Sequence, residues 1–168
     1  MNYKTLEPIV RSAACKALGA GFENFDHWIE TYEDDIKVDD LDIDFGTIVQ
    51  ICFDPPISPF RYFSSEVVFY VSVQNNGLGD VQVFFGDACA NTELADRAAS
   101  SFFERDAEDG WYICQAFEED RGLHLMREFE CDPEDASDVL AKITSCLSEL
   151  CDPDISDKLR SFIHYFED

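Results

Sequence analysis

A chain of 168 residues, 46% hydrophobic and with 15 phenylalanines, carries enough apolar surface to offset the entropy of ordering a domain, which excludes a disordered acidic tail. Its 36 Asp and Glu against 12 Lys and Arg give a net charge of −24, a field that repels nucleic-acid phosphates and anionic headgroups and attracts basic protein surfaces. Direct nucleic-acid and membrane binding are therefore not expected, and one domain over residues 1–168 is.

The first eighteen residues, MNYKTLEPIVRSAACKAL, contain no long apolar core, and Glu7 and Pro8 interrupt the candidate stretch, so neither a signal peptide nor a membrane helix is read there. Instead Leu6, Ile9, Val10, Ala13, Ala17 and Leu18 recur at three- and four-residue spacing. That predicts a helix over 5–18, with Thr5 as cap and Pro8 tolerated in the first turn. Gly19 and Gly21 end it. From Phe22 to Tyr32, the spacing of Phe22, Phe25, Ile29 and Tyr32 suggests a second short helix. Glu23, Asp26, Glu30 and Glu33 would lie outside, and the acidic face runs on into Asp34 and Asp35.

The middle of the chain reads as β. Leu41, Ile43 and Phe45 alternate with Asp40, Asp42 and Asp44, the pattern of a half-exposed strand that continues through 47–53 to Pro55 and Pro56. Strands are expected over 66–74 and 80–85, joined by the turn Asn75-Asn76-Gly77-Leu78-Gly79. A helix over about 92–103 follows, then a hairpin of 111–117 and 123–130. Asp132 and Asp152, each followed by proline, are read as caps of two final helices. The expected fold is α+β: an antiparallel sheet of about five strands packed by helices, in the order α-(α)-β-β-β-α-β-β-α-α.

Seven cysteines without a secretory signal, most of them within apolar strands or helices, read as reduced core residues of a cytoplasmic protein. The run Asp40-Leu41-Asp42-Ile43-Asp44 imitates the opening of a calcium loop, but the sixth position is Phe45 instead of glycine and the twelfth is Ile51 instead of a bidentate glutamate. No C-x-x-C is present, and His27, His124 and His164 are scattered. No G-x-S-x-G and no phosphate-cradling glycine loop opening a helix occurs either. Catalytic residues, metal ligands and cofactors are accordingly not nominated.

Binding chemistry has more behind it. Between Phe22 and Phe45 stand ten acidic residues and one lysine, interleaved with Phe25, His27, Trp28 and Tyr32. Aromatic anchors within an acidic rim suit recognition of a basic protein surface, the rings supplying affinity and the charges steering encounter. The candidate contact residues are Phe25, Trp28, Glu30, Tyr32, Glu33, Asp34 and Asp35, with the row Asp40, Asp42 and Asp44 beyond them. Solvation of a very acidic surface accounts for the same acids without any partner. The sheet face opposite the helices reads as fairly apolar, a second surface able to meet a partner or another copy of the chain.

The late hairpin feeding directly into an amphipathic helix, WYICQAFEEDRGLHLMREFECDPEDASDVLAKITSCLSEL, after a helix, three strands and a helix, resembles the class I type III secretion chaperone and YbjN-like group. The resemblance lies in the pattern of elements over about 46–150. It implies a small acidic α+β protein, often dimeric, that binds extended segments of partner proteins. The charge is better explained by an immunity protein or inhibitor that neutralises a basic toxin. The expected function is thus non-catalytic capture of a basic protein. A DNA mimic acting on a nucleic-acid enzyme, or an acid-rich metal-dependent enzyme, stands as the alternative.

Overall fold

The computed structural model describes residues 1–18, 31–38, 43–53, 67–85, 110–115 and 123–167. The predicted first helix forms as α1 (Tyr3–Leu18), and its apolar stripe is its buried face: Leu6, Val10, Ala13, Ala14 and Leu18 are all closed to water. Asn2 holds the start, its side-chain oxygen accepting from Thr5 N at 3.2 Å and Thr5 Oγ1 at 3.1 Å. Thr5 is therefore inside the helix and the capping oxygen belongs to Asn2. On the polar side, Arg11 pairs with Glu7 one turn back at 3.0 Å, a part-buried contact between neighbours on one helix face.

Six strands follow among the described residues: β1 (Thr31–Val38), β2 (Ile43–Phe53), β3 (Val67–Gln74), β4 (Leu78–Phe85), β5 (Tyr112–Gln115) and β6 (Leu123–Glu130). They form one antiparallel sheet in the order β1-β2-β3-β4-β6-β5. The α+β class and the antiparallel sheet agree with the sequence, but the count is six, not about five. The extra strand is β1, which takes residues 31 and 32 out of the expected second helix. Thr31, Tyr32, Ile36 and Val38 are β-branched or aromatic, and pairing with β2 overrides a helical spacing that rested on few positions. The other residues of that expected helix lie outside the described residues, as does the helix expected over 92–103.

Period-two alternation sorts the central sheet into two faces. Phe69, Val71 and Val73 on β3, Val81 and Val83 on β4 and Leu125 on β6 are buried, and strand register sets them side by side. Helix α1 packs against the second described helix, α2 (Ala136–Glu149). The buried stripe of α2, Val139, Ile143, Cys146 and Leu147, joins this core, as do Trp111 and Leu159. The last helix, α3 (Pro153–Glu167), begins at Asp152 as expected, with Asp154 N donating to Asp152 Oδ1 at 2.9 Å.

The start of α2 differs from expectation. Asp132 builds the preceding turn, accepting from Glu134 N at 3.0 Å, and Asp135 is the cap, accepting from Ser137 N and Asp138 N. An Asp-Pro pair followed by two further acids offers two caps in succession, and the turn at Asp132 moves the helix three residues downstream. Asp132 N donates in turn to Asp138 Oδ2 at 2.8 Å, tying the end of β6 to the first turn of α2.

The β3–β4 connection is a tight three-residue loop in which Gly77 N donates to Gln74 O at 3.1 Å and Gly77 takes φ +91°. Such hairpin loops need a left-handed residue at the last position, and glycine takes it without strain. The loop also backs onto the chain between β6 and α2, since Gly77 O accepts from Cys131 N at 2.8 Å.

Candidate functional site

Sheet order decides where the sequence-predicted contact residues lie. β1 is a terminal strand and pairs only with β2 among the described residues. Tyr32, Glu33, Asp34 and Asp35 therefore occupy consecutive positions along an edge strand, opposite Gln50, Val49, Ile48 and Thr47. Asp44 lies one strand in, opposite Lys37, just past an irregularity between Ile36 and Lys37. Acidic residues are favoured on such an edge because they discourage indiscriminate strand pairing, and a bulge re-aims the strand. Phe25, Trp28, Glu30, Asp40 and Asp42 lie outside the described residues. The four residues of β1 and Asp44 are thus brought onto neighbouring strands at one end of the sheet.

A second locus was not singled out in the sequence. A groove of about 630 Å³ opens where the start of β4 and the end of β6 approach α2. It is bordered by Lys142, Ser145, Cys146 and Glu149 of α2 and, on the sheet, by Gln74, Leu78, Gly79, Asp80 and residues 127–130 of β6. Those last residues of β6 run past the four-residue β5, which pairs only with 123–126. One cross-groove link is fixed: Arg127 Nε meets Glu149 Oε2 at 3.1 Å, joining β6 to α2. Inside the floor, the Phe129 ring fills the space that a side chain at Gly79 would take, 2.4 Å from the position of its absent Cβ.

Gln74 Oε1 is buried and has no hydrogen-bond partner among the described residues, and a buried acceptor left unpaired costs about 1–3 kcal/mol. Asp80 is half-buried between its cross-strand partners Ser72 and Glu128. Ser72 Oγ donates to its Oδ2, and Gln82 Nε2 donates to its Oδ1 at 2.9 Å. Burial nevertheless pushes the Asp80 carboxyl above its usual range; the Ser72 and Gln82 bonds pull it back in part, and the neighbouring Glu128 charge pushes it further up. Leu78 is 45% exposed at the rim, opposite Glu130 in the strand register.

This hydrogen-bonded row corrects the expectation of an apolar face opposite the helices. Tyr70, Gln82, Met126 and Tyr112 stand opposite one another across four strands, and Tyr112 Oη donates to Met126 Sδ at 3.0 Å. With Ser72, Gln74, Asp80 and Glu128 beside them, the described part of this face is mixed and largely polar. Sequence alternation alone marks it as the second face of the sheet; which polar groups pair within it depends on strand order.

Asp80 gives a direct test through pH. Its carboxyl holds a proton more tightly in the folded chain than in the unfolded one, so the stability that protonation supplies is full below the unfolded value of 3.8 and is lost as pH rises through the raised folded value. Asp80→Asn, which keeps an oxygen for Ser72 and removes the buried charge, is expected to flatten that decline. Urea midpoints measured from pH 4 to pH 7 check it; an unchanged slope would show that Asp80 is not the group responsible.

Three of the described thiols are held protonated by burial. Cys15, Cys131, Cys146 and Cys151 are free thiols, with Cys146 buried and Cys151 exposed, so Cys151 is not the core residue expected. Burial, with Glu149 nearby, pushes Cys146 up to about 11, and burial also raises Cys131 and Cys151. A thiol held protonated is a poor nucleophile and metal ligand. Among the described residues no group of three His, Cys, Asp or Glu side chains converges as metal ligands, and no helix is long and apolar enough to cross a membrane. No protein-family model matches the chain, and no curated protein or solved structure matches it either.

Proposed function

We propose that this is a non-catalytic protein-binding protein that captures a partner with a basic surface, in the manner of an immunity protein or inhibitor. The observation that carries the reading is the position of Glu33-Asp34-Asp35 on the terminal strand β1. These acids belong to the outermost described strand, within a chain whose net charge of −24 already draws cations from a distance. Phe25 and Trp28, close by in sequence, would supply aromatic anchors within that acidic rim. The partner fitted by this surface is a cytoplasmic protein with a basic face.

The test begins with the partner, isolated from the native cell at low salt, identified by mass and produced separately. Its association rate is expected to fall by at least an order of magnitude between about 0.05 M and 1 M salt, over which the Debye length contracts to about 3 Å. A triple variant, Glu33→Gln with Asp34→Asn and Asp35→Asn, is expected to slow association while leaving the folded spectrum unchanged. A rate constant indifferent to both salt and the triple variant would sink electrostatic capture.

A chaperone-like reading is favoured by a different observation. Strands β2, β3 and β4, then the β5–β6 hairpin and α2, follow one another over the stretch where the chain resembles the secretion-chaperone group. On that reading the partner presents an extended segment, and sedimentation of the chain as a dimer is the expected companion result. Binding of an isolated peptide, with no binding of the folded partner, would favour it over capture of a folded toxin.

A further inference from the structure

We propose that the last stretch of β6, residues 127–130, takes up an extended segment of the basic partner as an added antiparallel strand, with a cation of that segment opposite each of Glu128 and Glu130. The inference rests on the reading of this chain as a binder of basic proteins and names the mode of recognition. It starts from hydrogen-bond parity. In an antiparallel ladder, successive residues of a strand direct their main-chain groups to opposite sides. Cys131 N donates to Gly77 O at 2.8 Å, one step beyond the Leu78–Glu130 pair, so Arg127, Phe129 and Cys131 turn their amides and carbonyls toward β4. Those of Glu128 and Glu130 point the other way, to the side on which Tyr112 and Cys114 of β5 pair with Met126 and His124.

On that side β6 has no neighbour past Met126. The chain ahead of β5 bends at Gly110, φ +133°, with open space where a Cβ would stand. Among the described residues neither Gly110 nor Trp111 makes a main-chain hydrogen bond to β6, and Glu128 N, Glu130 N and Glu130 O have no partner. Glu128 O accepts only a long bond from Arg127 Nη1, 3.4 Å. The groove of about 630 Å³ borders all four residues 127–130, so free volume lies against this open ladder. Charge decides what fits it. A second copy would bring its own net charge of −24 against these acids, which repels it. A basic segment instead sets its residues opposite Glu128 and Glu130 on the same sheet face as those exposed carboxylates, about 5.5 Å away between Cα atoms, where opposite charge is favoured. The residue between them falls beside half-buried Phe129 on the other face, which suits an apolar side chain. Cation, apolar residue, cation is therefore the pattern recognised; main-chain bonds supply affinity and the alternate side chains selectivity.

The experiment needs no partner. The peptide acetyl-Thr-Lys-Val-Lys-Thr-amide is titrated into the isotope-labelled protein, with amide shifts and hydrogen exchange followed by NMR. Saturable shifts gathered at 126–131 are expected, with exchange of the Glu128 and Glu130 amides slowed roughly tenfold or more and that of Phe129, already bonded to β4, changed least. N-methylation of both lysine nitrogens keeps the charge but removes the donors, and is expected to weaken binding by roughly tenfold or more. N-methylation of the valine, whose N–H would face away from β6, is expected to be tolerated. The variant Glu128→Lys/Glu130→Lys, at two exposed positions, is expected to lose this peptide and to gain its glutamate twin, acetyl-Thr-Glu-Val-Glu-Thr-amide. Shifts scattered over the acidic surface, or indifference to N-methylation of the lysines, would overturn the added strand. So would Glu128 and Glu130 amides already slow to exchange in a dimer of the free chain, which would make a second copy the occupant. If the isolated partner binds parent and reversed variant alike, in a salt-dependent way, this inference fails and the proposed function stands. If association ignores salt but the peptide seats along β6, the failure lies with the proposed function.

Discussion

Phe69→Ala is expected to lower the stability of the folded chain by about 3–5 kcal/mol, the range for removing a large buried aromatic side chain. Phe69 is fully closed to water and sits in a central strand, with Phe53 of β2 and Val83 of β4 as its register partners. Truncation removes the ring's transfer energy and leaves a void that strands fixed on both sides cannot collapse to fill. A domain of this size has about 5–15 kcal/mol in all, and self-repulsion at a net charge of −24 draws on the same reserve. The expected result is a urea midpoint shifted strongly downward with an unchanged slope, partly restored by added salt. Phe69→Leu should lose markedly less, because it keeps most of the volume. Equal losses for both would mean that the site tolerates a void and that the core is centred elsewhere.

The second large effect belongs to a residue with no side chain. Gly77 holds φ +91°, and a Cβ there would meet Cys131 O at 2.4 Å. Gly77→Ala therefore combines a strained left-handed backbone with a clash against main chain. The strain alone is of order 1–3 kcal/mol, and the clash adds to it because a backbone carbonyl cannot swing aside as a side-chain tip can. Gly77→Asn separates the two causes, since asparagine adopts the left-handed region readily but still carries a Cβ. Both substitutions are expected to destabilise by more than about 2 kcal/mol, judged from the strain and contact terms together. An asparagine variant as stable as the parent, measured by thermal melting, would show that only the dihedral matters and that the contact with Cys131 yields.

These two positions show how legible the fold was. Alternation at Phe69, Val71 and Val73, and the Asn-Asn-Gly turn, are local signals, and local signals were enough for β3, β4 and the loop between them. The stripe of α1 and the starts of β6 and α3 were readable for the same reason. The failures share a cause as well. Thr31 and Tyr32 gave weak spacing for a helix, and only the presence of β2 alongside makes them strand. Asp132 and Asp135 both satisfy the chemistry of a helix cap, and the choice between them is made by the hydrogen bond from Asp132 N to Asp138.

The candidate sites divide along the same line. The acids of β1 were visible as a run of like charge, although that they occupy a sheet edge was not. The groove had no sequence signal at all. Gln74, Asp80, Glu128 and Lys142 come from four elements, and they border one groove only because β6 returns beside β4 and carries the chain on into α2. No spacing rule on a single segment can find a site whose members are assembled by strand order.

The packing of α1 against α2 has a temporal side. Leu6, Val10 and Ala13 are synthesised well before the helix that covers them, which begins only at Ala136. At about 5–20 residues per second, their apolar stripe is without its native neighbour for several seconds, while the β1–β4 meander, made of strands successive in sequence, can already pair. Closure of the core must await α2, and contacts of such long sequence separation form slowly. During that interval the dense like charge of the nascent chain is what keeps one polypeptide from sticking to the next.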